Sequence, residues 1–161
     1  MARVAVNPEV LSATAPLFLP KQKIRAVDGD TWKKGEMGFM TSGEIEPVVA
    51  AGKTDAYAIF AQDQATSTSS TDVWVRRLVA GARLYMFVMT NGTAATAATA
   101  VEGTAYGVRT LANVCYLDTG TANGQFKVIR DASNAQPFED TKKDMDAAPG
   151  KVEVEFLGYV S

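Results

Sequence analysis

Histidine is absent from this chain of 161 residues, and cysteine occurs once, at Cys115. Without imidazole there is no Ser–His–Asp relay, no histidine acid or base near neutral pH and no imidazole-ligated zinc. A single thiol excludes an intrachain disulfide and any cysteine-cluster metal site, and it fits synthesis in a reducing cytoplasm. No apolar run approaches the ~20 residues of a membrane-spanning helix. Arg3, Asn7, Pro8 and Glu9 interrupt the N-terminus before it can form the apolar core of a signal peptide. Neither sign of charge dominates: 16 basic residues stand against 18 acidic ones, for a net charge of −2. A chain so balanced, with no basic block, is not built to wrap nucleic acid.

What is present is small. Alanine, threonine, serine and glycine fill 61 of the 161 positions. The length suits one domain and buries roughly two-thirds of the surface an unfolded chain exposes. Residues 1–23 hold Pro8, Pro16 and Pro20 around the apolar knot Leu17-Phe18-Leu19. Proline fixes φ and removes a donor, so this stretch is expected to be an extended N-terminal arm whose knot packs on its own domain or on a neighbouring subunit.

From Ile24 to the C-terminus the pattern is β. Strands are expected at 24–27, 36–41, 44–49, 57–61, 73–78, 84–89, 125–130 and 151–156, with turns at Asp28-Gly29-Asp30, Lys34-Gly35, Ser42-Gly43, Ala80-Gly81 and Asn91-Gly92. Pro47 marks its strand as an edge or a bulge. Lys151-Val152-Glu153-Val154-Glu155-Phe156 alternates strictly, which places its valines on a core and its glutamates in water. Residues 62–72 and 93–100 are expected as loops, the second with at most one helical turn, and 138–145 as a short helix. Many short strands at this spacing predict an all-β fold, a compact barrel, β-tulip-like or sandwich domain over 24–161.

The motifs that carry chemistry fail on their own terms. Gly52-Lys53-Thr54 resembles the end of a phosphate loop, but Pro47 stands where the upstream glycine belongs and no helix follows. Asp28-Gly29-Asp30 lacks the glutamate twelve positions along that a calcium loop needs, since Phe39 stands there. Glu36, Glu44, Glu46, Glu153 and Glu155 offer carboxylate pairs for a small hydrolase, but rows of carboxylates on strands more commonly face solvent or guard an edge. Arg76, Arg77 and Arg83 near Trp74 and Tyr85 make a thin footprint for nucleic acid. Cys115, among Val114, Tyr116 and Leu117, reads as a buried thiol. The expectation is a protein that is not an enzyme, with no cofactor or metal and no membrane or nucleic-acid partner.

Gly29-Asp30-Thr31-Trp32-Lys33-Lys34-Gly35-Glu36-Met37-Gly38-Phe39, followed by Ser42-Gly43-Glu44-Ile45, resembles the opening hairpin of tailed-phage head decoration (capsid cement) proteins. The stretches 103–109, 113–118 and 151–156 are similar in style to that group. The resemblance implies a small β-barrel or β-tulip domain, synthesised in the host cytoplasm and carried on the exterior of the virion. Its partners would be the major capsid protein and further copies of itself, a homotrimer ahead of a homodimer. The family has no catalytic residues to carry over. Leu17, Phe18, Leu19 and Trp32 are the expected contacts with the shell or a neighbouring subunit, with ordinary packing as the alternative for Trp32. A second reading is a receptor- or glycan-binding module on the virion surface, with a groove lined by Trp74, Tyr85 and Tyr106.

Overall fold

The computed structural model describes residues 4–10, 20–27, 29–63, 71–129 and 147–158. Among these, twelve strands form two sheets. The first sheet holds β1 (Glu9–Val10), β7 (Arg83–Thr90), β8 (Thr93–Ala94), β9 (Ala105–Leu111), β10 (Val114–Ala122), β11 (Phe126–Ile129) and β12 (Lys151–Phe156). The second holds β2 (Lys21–Arg25), β3 (Met37–Thr41), β4 (Glu44–Pro47), β5 (Ala56–Phe60) and β6 (Asp72–Arg77). One 3₁₀ turn, Ala97–Thr99, follows β8.

The first sheet closes on itself in the order β7-β10-β9-β11-β12 and back to β7, a five-stranded barrel. Its interior is apolar: Leu84, Met86, Val88, Val108, Cys115, Leu117, Phe126, Val128, Val152, Val154 and Phe156 are all buried in one cluster. Every pairing is antiparallel except β7 with β10, which meet in parallel only at Leu117↔Val88 and Asp118↔Met89. Where β10 diverges from β7, the N-terminal segment enters the gap. β1 pairs with β7 at Glu9↔Tyr85, and on the β10 side Asn7 accepts the Cys115 N–H at 2.8 Å and donates to the Asn113 carbonyl at 3.1 Å. An amide side chain here takes the place of strand backbone.

The second sheet runs β2-β6-β5-β3-β4, all antiparallel. It curls until its two edges touch, through a parallel bridge from Ala26 to Ile45 and the Val27 N–H donating to the Ile45 carbonyl at 3.1 Å. The curl encloses a second core of Ile24, Trp32, Ile45, Phe60, Val73 and Val75. Its other face contributes Met37, Phe39, Val48, Ala56 and Ile59 to the barrel's cluster, so the two sheets share apolar contact. The connection after β4 docks on β9: Lys53 and Val108 exchange two backbone bonds of 2.8 Å, and Thr110 N–H donates to the Val49 carbonyl at 3.2 Å. Glycine is required for this approach. A Cβ on Gly52 would lie 1.8 Å from Thr121 Oγ1, and one on Gly107 would lie 2.3 Å from the Lys53 carbonyl oxygen. The Gly52-Lys53-Thr54 sequence thus serves close backbone packing, and a strand, not a helix, follows it.

The expected all-β fold is present, with the barrel among its alternatives realised, and each of the eight expected strands has a counterpart, most with small shifts at their ends. Pro47 does close an edge strand. Four details differ from the sequence reading. Thr93–Ala94, in the stretch expected as loop, forms β8 and pairs with β7 because the Asn91-Gly92 turn returns the chain alongside it. β2 begins at Lys21, within the stretch expected to be arm, directly after Pro20. β9 and β10, two long strands of the barrel, were not marked by alternation, because Gly107, Thr110, Asp118, Thr119 and Gly120 dilute their apolar pattern. Glu153, placed in water by the alternation of β12, is buried at 4% exposure with Arg83 beside it at 3.4 Å. The expected helix at 138–145 and most of the loop at 62–72 lie outside the described residues.

Candidate interaction surfaces

Of the four expected contact residues, Leu17, Phe18 and Leu19 lie outside the described residues. Trp32 takes its packing alternative. It is 1% exposed, stacked on Phe60 at a ring distance of 4.5 Å and 15° between planes, and its Nε1–H donates to the Gln62 carbonyl at 3.0 Å. An indole so enclosed stabilises the second core and has no face left for a partner.

The aromatics of the groove reading do not assemble. Tyr106 is buried in the barrel cluster, and its hydroxyl accepts the Val101 N–H at 3.2 Å. Tyr85 lies on β7 with the Lys151 ammonium 5.2 Å from its ring centre. Trp74 lies on the other sheet, on β6, and is 43% exposed.

Two buried carboxylates, Asp118 and Glu36, have structural partners. Asp118 is fully buried and accepts four hydrogen bonds: from Arg109 Nε at 2.8 Å, the Asn91 N–H at 2.9 Å, the Gly120 N–H at 3.0 Å and Thr121 Oγ1 at 2.9 Å. Burial pushes its carboxyl up, but Arg109 and the other donors outweigh that and hold it below the usual aspartate range. Arg109 also donates to the Ala50 carbonyl, so this one ion pair ties β10, β9, the β7–β8 turn and the connection from β4. Glu36 is buried and accepts the Lys33 N–H. Burial raises its carboxyl above the ordinary range, against the opposing effects of that bond and the Lys33 charge. Burial pushes the Cys115 thiol up to about 12, which leaves it protonated and inert. Among the described residues no three Cys, Asp or Glu side chains converge as metal ligands, and no helix is long and apolar enough to cross a membrane.

Two surfaces remain. The first is the arm: residues 4–8 run on into β1 along the barrel, with Val4 84% and Val6 53% exposed beside the pinned Asn7. The second is the outer face of β2 and β6. The register sets Lys21 opposite Arg76, Lys23 opposite Trp74 and Arg25 opposite Asp72, and Lys23 Nζ lies 5.2 Å from the Trp74 ring centre. The signal for this face was present in the sequence as Lys21-x-Lys23-x-Arg25, a period-two row of cations that shows its meaning only once β6 is beside it. Compared with protein-family models, with curated proteins and with solved structures, the chain matches none.

Proposed function

We propose that this chain is a structural virion protein that binds the outer surface of an assembled phage capsid and stabilises it by bridging capsomers, as part of a homotrimer. The observation that supports this most is the arm. Val4 and Val6 are exposed on a segment whose position is set through Asn7 and β1, so two apolar side chains are displayed beside the barrel. Covering each valine stabilises a contact by about 1.5 kcal/mol at most. That is weak for one copy and effective for many copies on a lattice. A three-fold assembly matches the symmetry of the sites where capsomers meet. The chemistry asked of the molecule is adhesion only, and the buried carboxylates Asp118, Glu36 and Glu153 act in folding.

The test is reconstitution. The purified chain is added to expanded capsids that lack it, and bound protein and capsid melting are measured. Binding should saturate at a fixed stoichiometry and raise the melting temperature of the shell. A Val4→Ser/Val6→Ser variant should keep its fold, because both positions are exposed, and bind about tenfold more weakly. No binding by the unaltered chain would overturn the proposal.

A further inference from the structure

We infer that the outer face of β2 and β6, centred on Trp74, is a docking surface for a carboxylate-rich protein face. This deepens the decoration reading by naming the chemistry of the surface the chain meets, and one arm of its test stands independently of that reading. Three observations lead to it. First, cations prevail on these two strands: Lys21, Lys23, Arg25 and Arg76 stand on the face, where Asp72 is the one carboxylate that β2 and β6 contribute, on a chain whose net charge is −2. Side chains on one strand face recur about every 6.6–6.8 Å, with the neighbouring strand about 4.8 Å away, so these cations form a compact grid. Second, Trp74 stands 43% exposed in the middle of that grid, a large aromatic of the kind that anchors protein interfaces.

Third, the Lys23 ammonium lies 5.2 Å from the centre of the indole ring. A cation over the π-face competes with a base or sugar for that face and leaves the ring's edge and remaining surface as an apolar anchor. This favours a folded acidic protein over a stacked nucleobase or glycan. Neighbouring structure holds the anchor in place: the Trp74 N–H donates to Gln62 Oε1 at 3.1 Å, and its carbonyl accepts the Ala61 N–H at 2.9 Å. The core beneath, Val73 and Val75 with Ile24, is closed, so substitutions on the outer face leave it intact.

The experiment uses the full chain and its Lys23→Glu, Trp74→Ala and Lys34→Glu variants, the last placing the same charge change outside this face. Binding to capsids is measured by co-sedimentation and binding to dye-labelled poly-L-glutamate and a dye-labelled single-stranded oligonucleotide by fluorescence anisotropy, with light scattering to report the oligomeric state. Lys23→Glu and Trp74→Ala should each weaken capsid binding about tenfold and Lys34→Glu should not. Poly-L-glutamate should bind in a salt-sensitive way and better than the oligonucleotide. If the unaltered chain binds capsids and Lys23→Glu and Trp74→Ala bind equally well, the face is not the docking surface, while the decoration reading survives. If the unaltered chain does not bind capsids, that reading fails and poly-L-glutamate decides the face. Preference for the oligonucleotide, no response to either polymer, or loss of an oligomer in Lys23→Glu would overturn the inference.

Discussion

Asp118 is the buried charge that ties β10 to its neighbours. Four donors converge on it, and substitution by asparagine removes the charge that Arg109 faces while turning an amide N–H toward one or more of those donors. Breaking a buried, hydrogen-bonded pair costs about 3–5 kcal/mol, so Asp118→Asn should shift the urea midpoint strongly downward. The native carboxyl titrates below its unfolded value, so its contribution is complete above about pH 4 and is lost as pH falls through the native pKa. Glu36 acts in the opposite sense. Its native pKa is raised, so its contribution is complete below the unfolded value and is lost as pH rises through the native one. Glu36→Gln keeps an acceptor for the Lys33 N–H without the buried charge. Its stability relative to the unaltered protein should therefore improve from pH 4 to pH 7 in matched denaturation curves, and a constant difference would contradict this account.

At the scale of elements, three two-residue hairpins turn on left-handed residue pairs: Ser42-Gly43 at φ 50° and 84°, Asn91-Gly92 at 49° and 90°, and Ala112-Asn113 at 50° and 64°. The first two were legible in the sequence because glycine and asparagine adopt this region easily. The third was not, because alanine pays for its Cβ there, and with that turn hidden the strands on either side, β9 and β10, went unmarked. Ala112→Asn should stabilise the protein by about 0.5–1 kcal/mol, measured by thermal or urea unfolding.

The seat of residues 4–10 on the barrel was not legible in the sequence. The contact between Asn7 and Cys115 spans 108 residues, and no local pattern announces it. Asn7→Ala should loosen that seat, with faster hydrogen exchange at the Cys115 amide and faster labelling of its thiol by a maleimide under native conditions. Unchanged rates would show that β1 alone holds the seam.

Across the whole molecule, alternation and turn chemistry were enough to foresee an all-β fold but not to choose between barrel and sandwich, since strands such as β12 and β6 each place one face on a core in either. They could not foresee that the strands divide between a closed barrel and a second curled sheet, because that depends on pairings far apart in the chain, such as β7 with β12 and β2 with β6. The candidate surfaces followed the same rule. Trp32 looked like a contact and is core, whereas Trp74 became prominent only when β2 brought its cations alongside.

The central claim, that this body exists to be carried on a capsid, is tested most directly by quantitative mass spectrometry of virions purified from the host that makes the chain. A copy number comparable to that of the major capsid protein is the expected result. Absence of the chain from the particles would contradict the account.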